Sequence, residues 1–318
     1  MELLKKLTQT FGVSGNEEAV ADILKSELCG CGDISVSPLG NLTLHIKGNG
    51  EKILFAAHMD EIGVMVTYIE ENGYLRFAPV GGVRPLNAVG ARVKFANGAE
   101  GVIGFGEKKE IKDLKLSEMF IDICAATREE AEKAVSIGDC AMFEGEFIRR
   151  GDYVTSKALD DRVGCYILAE AAKRIKNPSK DVYFVFTVQE ELGLRGGKTA
   201  AYDITPDYAV AIDTTACGDT PGGYKMEVKT GKGLCIKVRD NMIISHPAVK
   251  SMIAAAAEKY QYEVLEFGGT DAGAFQTSCG GTPSGAISIP VRYVHSTNET
   301  AHTDDIRCAV DAVVKMCE

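Results

Sequence analysis

The most constraining feature of the sequence is an apolar segment that ends near two adjacent carboxylates. Residues 181–186 (DVYFVF) are apolar, β-branched and aromatic, which predicts a buried strand. Glu190 and Glu191 follow where this strand gives way to a loop. Ligands of open α/β sheets bind at that end of the strands, where one carboxylate can bind a metal and its neighbour can act as a base. Taken alone, the pair is more simply interpreted as a solvated acidic loop.

Composition limits the classes of protein to consider. The chain has 318 residues, 45% hydrophobic and 25% charged, enough for two domains or one large one. The net charge of -10 disfavours nucleic acid and anionic membranes as partners. No apolar run is long enough to cross a bilayer, and the N-terminus lacks the apolar core of a signal peptide, so we expect a cytoplasmic protein. The ten cysteines are then expected to be free thiols, mostly buried.

The pattern of the sequence changes twice along the chain, which predicts two domains. Residues 1–66 and 156–318 alternate apolar strand segments with amphipathic helices. Residues 67–155 contain short apolar alternations separated by Asn-Gly and Gly-Gly turns, which is typical of a small β-rich domain. We therefore predict an α/β fold, with a mixed sheet flanked by helices, into which a β-rich domain is inserted.

Three helix starts are predicted from local chemistry. Ser14 and Glu17 have the spacing of a capping box, in which Ser14 caps the helix and Glu17 bonds back to it. Thr127 and Glu130 have the same spacing inside the β-rich segment. Pro247 lies where a later helix begins, a position at which proline is tolerated.

Polar residues recur at the ends of the predicted strands. His58, Asp213 and His295 lie at or just beyond such ends, as Glu191 does, and Asp160 opens a helix. Because strand ends in one sheet share one edge, we expect these five residues to meet. Two histidines and three carboxylates suit a pair of zinc ions, with cobalt or manganese as rivals, bridged by one carboxylate at a separation of roughly 3.5–4 Å. Singly, each residue is also explained as a core histidine, a helix cap or a turn residue.

Six segments of the chain, in order, carry a resemblance to a known family. They are HMDEIG at 58–63, ALDDRVG at 158–164, QEELGLRG at 189–196, DTT at 213–215, GGTDAG at 268–273 and RYVHS at 292–296. These segments resemble the M42 family of metallo-aminopeptidases, which includes the tetrahedral (TET) aminopeptidases and the glutamyl and leucyl aminopeptidases. The resemblance covers essentially the whole chain, and it implies a zinc-peptidase-like fold for the α/β domain.

The resemblance implies five metal ligands that are divided between two divalent ions. One ion would be held by His58 and Asp213, and the other by Glu191 and His295. Asp160 would bridge the two ions, because the family's bridging acid falls at the first acidic position of the matching motif. Asp160 is followed by a second aspartate, and the sequence does not distinguish which of the two bridges.

The resemblance also implies catalytic roles and an assembly. Glu190 would be the general base on a metal-bridging water, and Asp60 would hydrogen-bond the second nitrogen of His58 and fix its orientation. The inserted domain would serve in oligomerisation, since family members typically form homododecamers that enclose their active sites. The expected substrates are peptides with a free N-terminus.

Other functions remain open from the residues alone. A two-metal amidohydrolase or deacylase and a carboxypeptidase would use the same ligands, and a glycoside hydrolase of the endoglucanase type would use paired carboxylates. A non-enzymatic chamber or scaffold is disfavoured, because the role expected for Glu190 is purely chemical. The sequence does not identify the preferred N-terminal residue, the physiological metal or the exact oligomeric state.

Overall fold

The structure is a computed structural model that describes residues 1–106 and 110–318. Within them the chain forms a large mixed sheet covered by helices and a smaller closed barrel. The strands are β1 (Asp33–Val36), β2 (Leu42–Ile46), β3 (Lys52–His58), β4 (Gly63–Ile69), β5 (Leu75–Val80), β6 (Arg92–Phe95), β7 (Glu100–Gly104), β8 (Phe120–Asp122), β9 (Cys140–Phe143), β10 (Ile148–Arg150), β11 (Tyr153–Ser156), β12 (Asp181–Thr187), β13 (Tyr208–Thr215), β14 (Leu234–Arg239), β15 (Tyr260–Val264), β16 (Ser284–Arg292) and β17 (Glu299–His302).

The α-helices cover the large sheet, apart from two short ones in the segment that forms the barrel. They are α1 (Glu2–Gln9), α2 (Glu18–Glu27), α3 (Pro85–Ala88), α4 (Arg128–Glu132), α5 (Leu159–Arg174), α6 (Arg195–Ile204), α7 (Pro247–Ala256), α8 (Asp271–Gln276) and α9 (Thr303–Cys317). None of the helices in the described part of the chain is long and apolar enough to span a membrane.

The large sheet has the order β1-β2-β12-β3-β13-β16-β17-β11-β10, and β15 joins it through β14, which pairs with β16. The central strands β12, β3, β13 and β16 run parallel to one another. The flanking pairs, such as β2 with β12 and β16 with β17, are antiparallel. The predicted mixed sheet is therefore confirmed, and the C-terminal ends of its four central strands lie at one edge.

Alternation along the central strands fills two cores, one on each face of the sheet. Phe55 and Phe184 lie in the larger core, beneath helices that include α1, α5 and α9, and their ring centroids are 5.6 Å apart. Leu54 and Val185, the neighbouring residues, point to the opposite face and pack in the core beneath α6 and α8. Because both faces are buried, these strands are apolar throughout, as the sequence of β12 indicates.

The barrel closes in the strand order β4-β5-β8-β7-β6-β9 around its own apolar core. Its strands span residues 63–143, so β4 belongs to the barrel from its first residue, a few positions before the predicted boundary at 67. Strand β10 and all but the last residue of β11 lie inside the predicted insertion, residues 67–155, but β11 pairs with β17 in the large sheet and β10 pairs with β11. Short β-rich patterns alone do not distinguish a strand of the barrel from an antiparallel strand at the edge of the larger sheet.

Two of the three predicted helix starts are confirmed, and one is wrong. Thr127 accepts a hydrogen bond from the backbone N–H of Glu130, and α7 begins at Pro247. The capping box at 14–17 is not formed, because the hydroxyl of Ser14 donates to Asp60 instead. The carboxylate of Glu17 accepts a bond from the backbone N–H of residue 189 as well as from that of residue 15. Ser14 and Glu17 therefore make hydrogen bonds to distant segments of the chain instead of capping the helix.

Replacing Phe184 by alanine tests the packing of the larger core. Phe184 is fully buried, so the substitution removes apolar contacts and leaves a cavity, and we expect the free energy of unfolding to fall by about 3–5 kcal/mol. Denaturant titration measures this change. Tyr202→Ala is the control, since Tyr202 is 71% exposed and its loss should change stability by no more than about 0.5 kcal/mol. A loss of less than about 1 kcal/mol at Phe184 would contradict the assignment.

Candidate active site

The predicted site residues lie along one edge of the large sheet. His58 is the last residue of β3, and Asp213 lies close to the end of β13. Glu190 and Glu191 follow β12, and His295 follows β16. Since these four strands are parallel neighbours, the residues that end them converge on one place, as the sequence predicts.

One group of possible metal ligands consists of His58, Asp160 and Asp213. One donor atom from each residue lies within 4.8 Å of the other two. His58 Nε2 is 3.4 Å from Asp160 Oδ1 and 3.9 Å from Asp213 Oδ1. All three residues are buried, which shields the donor atoms from competing water. A nitrogen and two carboxylate oxygens at this spacing can hold one divalent ion.

A second group shares Asp160 with the first and adds Glu191 and His295. Their donor atoms also lie within 4.8 Å of one another. His295 Nε2 is 3.4 Å from Asp160 Oδ2 and 3.0 Å from Glu191 Oε1. The two oxygens of Asp160 therefore face different histidines, an arrangement that suits a carboxylate bridging two ions.

The aspartate after Asp160 bonds to backbone groups. Asp161 accepts hydrogen bonds from the backbone N–H groups of His58 and Gly164, at 3.1 Å each. Glycine is required at 164 for space, because a Cβ there would lie 2.4 Å from an oxygen of Asp161. Asp161 thus joins the start of α5 to the end of β3, and Asp160 is the member of the pair that faces the two histidines.

Asp60 holds the loop that carries the two glutamates. Its carboxylate accepts hydrogen bonds from the backbone N–H groups of Glu190, at 3.0 Å, and Glu191, at 3.2 Å. The hydroxyl of Ser14 donates to the same carboxylate at 2.6 Å. His58 Nδ1 lies 3.1 Å from the Asp60 carbonyl oxygen and 3.4 Å from its Oδ1. Asp60 therefore contacts the ring nitrogen on the side away from the metal-binding group, and it also positions the loop after β12.

Glu299 is a buried residue of the site that the sequence analysis missed. Its carboxylate accepts hydrogen bonds from the backbone N–H groups of Asp160, at 2.9 Å, and His295, at 2.7 Å. Burial, reinforced by the charge of Asp160, raises the pKa of Glu299 to about 8. Glu299 begins the short strand β17, and nothing in the local pattern marks it, because its partners are backbone groups far away in the sequence.

The barrel reaches the site through two consecutive glycines, Gly81 and Gly82. His295 Nδ1 lies 3.0 Å from the Gly82 carbonyl oxygen, and the Gly82 N–H donates to Glu191 Oε2 at 3.4 Å. A Cβ at Gly82 would lie 2.6 Å from the His295 ring, and one at Gly81 would lie 2.9 Å from Glu191 Oε2. These glycines, predicted only as a turn, let the barrel backbone contact two possible ligands of the second group.

The protonation equilibria of the cluster indicate a site suited to positive charge. Burial alone would lower the pKa of His295, but the carboxylates of Asp160 and Glu191 raise it to about 12. Burial, with the charge of Asp160, raises the pKa of Asp213 to about 7. Among the described residues, Asp160 Oδ1 has no hydrogen-bond partner although it is buried. A buried carboxylate oxygen without a donor and an excess of acidic ligands fit divalent cations.

Glu190 differs from the grouped ligands in its surroundings. Its Oε2 is 3.9 Å from His58 Nε2, on the edge of the first group. Burial raises the pKa of the Glu190 carboxyl well above its ordinary value; the charge of His58 opposes that rise, and Asp213 adds to it. A cavity of about 600 Å³ opens beside the cluster, and Glu190 lines it together with the five possible ligands. A carboxylate in this position can exchange a proton with a molecule bound in the cavity.

The fold, this cluster of possible metal ligands and comparisons with known proteins together define a peptide hydrolase. A family model described as M42 glutamyl aminopeptidase matches residues 40–311. A relative from Acetivibrio thermocellus, curated under the name "Putative aminopeptidase", is 53% identical over 320 residues, which cover 99% of this chain and 97% of the relative. The chain therefore belongs to the M42 peptidase family.

Solved structures give the same fold over the full length. An aminopeptidase from the archaeon Desulfurococcus kamchatkensis superposes with a TM-score of 0.95 at 38% identity, covering 100% of this chain and 94% of the other. The TET1 peptidase of Pyrococcus horikoshii, which can assemble into a tetrahedron or a large octahedral shell, has a TM-score of 0.91 at 37% identity, covering 99% and 98%. Another structure, PhTET1-12s, is a dodecamer with a TM-score of 0.90 at 37% identity, covering 99% and 98%.

Replacing Gly82 by alanine tests the contact between the barrel and the cluster. The added methyl group cannot fit against the His295 ring, so we expect the ring to move and the affinity for divalent ions to fall about 10–100-fold. Calorimetric titration with zinc measures this change. Gly106→Ala is the control, because a Cβ there meets no atom of the described residues within 4 Å. Equal zinc affinities in the two variants would show that the contact does not support the site.

Proposed function

We propose that the protein is a two-metal aminopeptidase that removes N-terminal residues from peptides. One zinc, cobalt or manganese ion would be held by His58 and Asp213, and a second by Glu191 and His295, with Asp160 bridging. The observation that carries this proposal is the position of Asp160, whose two oxygens each lie 3.4 Å from a different histidine. Membership of the M42 family supports aminopeptidase activity and divalent metals in general.

The proposed mechanism divides the chemistry between the bound ions and Glu190. Two divalent ions, when bound, would supply Lewis acidity toward water and the scissile carbonyl, and a ligand position for the free α-amine of the substrate. Glu190 would accept the proton of the attacking water and pass it to the departing amine. Burial raises the pKa of the Glu190 carboxyl well above its ordinary value, which makes the carboxylate a stronger base and supports this role.

Asp60 would support both metal binding and proton transfer without contacting the substrate. Through its contacts with His58 Nδ1 it would fix the ring so that Nε2 faces the ion. Through its bonds to the backbone of Glu190 and Glu191 it would hold one glutamate toward the ions and the other toward the water. The two glutamates lie in the turn after β12 and contact different histidines, Glu191 Oε1 at 3.0 Å from His295 Nε2 and Glu190 Oε2 at 3.9 Å from His58 Nε2, which supports different roles for them.

The alternative activities are less well supported. A deacylase, an amidohydrolase or a carboxypeptidase would use the same ligands, but the family model is described as a glutamyl aminopeptidase and the solved relative from Desulfurococcus kamchatkensis as an aminopeptidase. An endoglucanase would need two carboxylates without any requirement for histidines or a bridging acid. Hydrolysis of blocked peptides in preference to peptides with a free N-terminus would favour one of the amidase alternatives.

Substitutions at the two glutamates separate the proposed base from the proposed ligand. Glu190→Gln keeps the size of the side chain but removes the proton acceptor, so turnover should fall at least about 10²–10⁴-fold while both ions remain bound. Glu191→Gln should instead lose one ion, and excess metal should partly restore activity. Turnover of an aminoacyl substrate and metal content by elemental analysis are measured side by side.

The two variants control for each other, and three outcomes would contradict the assignments. If the Glu190 variant loses an ion while the Glu191 variant keeps both, the two roles are exchanged. Full activity of the Glu190 variant would exclude it as the general base. A single ion per chain in the unmodified protein, far from His58 and His295, would exclude the two-metal site.

We also propose that the chain forms a large homo-oligomer, most simply of twelve subunits, through its inserted domain. The support is the similarity to PhTET1-12s, which is a dodecamer, and to the TET1 peptidase of Pyrococcus horikoshii. The barrel segment also exposes large apolar side chains that a partner subunit could cover, such as Leu86 at 66% and Ile137 at 59%.

Light scattering on the full-length chain tests the assembly. A dodecamer should have about twelve times the chain mass of 34.1 kDa, and a chain in which a short linker replaces the barrel strands, residues 63–143, should form smaller species. Circular dichroism of the shortened chain checks that the remaining α/β domain is folded. A stable 34.1 kDa species at neutral pH and working concentration would rule out the oligomer.

A further inference from the structure

The cavity beside the cluster extends into a recess with apolar walls. Its lining continues from Asp213 through residues 214–216, and it includes Met242, Leu265 and Phe267. Met242 and Phe267 are 52% and 38% exposed, so both side chains leave apolar surface uncovered. The recess thus begins next to a proposed metal ligand and presents uncovered apolar surface to whatever is bound there.

The position of Met242 is set by two glycines that face it. A Cβ at Gly269 would lie 2.6 Å from Met242 Cγ, and one at Gly273 would lie 2.7 Å from Met242 Cβ. The backbone N–H groups of Met242 and Ile243 donate to Asp240, at 2.7 Å and 2.9 Å. The wall around Met242 is therefore supported by close packing and by the turn at 240–243, and the glycines of the GGTDAG segment make room for it.

A buried ion cluster lies at the inner end of the recess. Lys237 on β14 lines the cavity, is only 3% exposed, and is the register partner of Glu263 on β15. Its ammonium group contacts the carboxylate of Glu263 and lies 3.2 Å from Asp240 Oδ2. In the described part of the chain the cavity lining includes the lysine but neither of these two carboxylates.

This arrangement disfavours both signs of charge in a bound side chain. A cationic side chain would meet the ammonium of Lys237 before it reached either carboxylate. An anionic side chain would meet an ammonium that two carboxylates already neutralise, and it would add a third negative charge to a buried site. Arg84, the only arginine of the lining among the described residues, is exposed, so water screens its charge, and it lies two residues after Gly82, whose carbonyl contacts His295. Only an apolar side chain gains free energy from contact with the apolar walls without the electrostatic cost of meeting the buried ion cluster.

We propose that this recess binds the side chain of the substrate's N-terminal residue and selects bulky, uncharged residues such as leucine, methionine and phenylalanine. The inference rests on the proposed aminopeptidase function, because the scissile carbonyl must lie at the ions for the adjacent side chain to enter beside Asp213. Met242 and Phe267 determine the specificity through direct contact, and the ion pairs of Lys237 keep charged side chains out.

The test uses the full-length, zinc-loaded protein and aminoacyl p-nitroanilides of leucine, methionine, phenylalanine, alanine, glutamate and lysine. We expect kcat/KM for the three bulky apolar substrates to exceed that for alanine, glutamate and lysine by about 10–100-fold. A preference for the glutamyl or lysyl substrate would overturn the specificity while leaving the aminopeptidase function intact. Failure to hydrolyse any of the six would instead overturn the aminopeptidase function, and the recess would lose its role with it.

Two substitutions assign the preference to the walls of the recess. Met242→Glu places a carboxylate in the wall, so the ratio of kcat/KM for lysyl over leucyl substrate should rise at least about 10-fold. Phe267→Ala removes apolar contact, so KM for the leucyl and phenylalanyl substrates should rise while kcat changes little. Tyr202→Glu is the matched control, because Tyr202 is exposed and does not line this cavity.

Thermal unfolding and zinc content show whether each variant retains its fold and its ions. In a folded, zinc-loaded Met242→Glu protein, an unchanged lysyl-to-leucyl ratio would place the specificity elsewhere. A similar shift in the Tyr202→Glu control would show that the effect comes from overall charge and would equally overturn the proposal. If Met242→Glu does not fold, Phe267→Ala decides the question: an unchanged KM for the leucyl substrate refutes the recess as the binding site.

Discussion

The site depends on one carboxylate between two imidazoles. The two oxygens of Asp160 each lie 3.4 Å from a different histidine, His58, the last residue of β3, and His295, which follows β16. Such a contact forms only if β3, β16 and the start of α5 hold their relative positions closely. The parallel registers of the central strands provide this precision, since each strand is fixed by two hydrogen-bonded neighbours and by buried cores on both faces.

The central sheet and most of the site residues at its strand ends could be predicted from the sequence, and for a physical reason. A strand buried on both faces must be apolar throughout, so a polar residue where such a strand ends stands out, as His58 and Asp213 do. Glu299 was missed because its carboxylate accepts hydrogen bonds from backbone N–H groups of distant segments, and such contacts produce no periodic pattern in the sequence. Ser14 misled the prediction for the related reason that its hydroxyl donates to a buried carboxylate, Asp60, instead of accepting a hydrogen bond from the local helix N–H.

The barrel is more than an appended module. Gly82 accepts a contact from the ring of His295 and donates to the carboxylate of Glu191, so the backbone of one domain completes the surroundings of side chains from the other. A Gly-Gly pair in a β-rich segment predicts a turn, and only the close approach of the barrel to the large sheet explains why side chains are excluded there. Residues of both domains therefore form the site.

A substitution at Glu299 should affect more of the cluster than a substitution at most of its other residues. It holds the backbone of Asp160, which belongs to both groups of ligands, and that of His295, which belongs to one. A substitution at Asp213 affects the one group of possible ligands to which Asp213 belongs, whereas a substitution at Glu299 affects both groups through Asp160. The effects of Glu299 and Asp160 should therefore overlap rather than add, as they do for residues that share a structural unit. Such a pair is constrained to change together or to stay unchanged, although only one of the two faces the cavity.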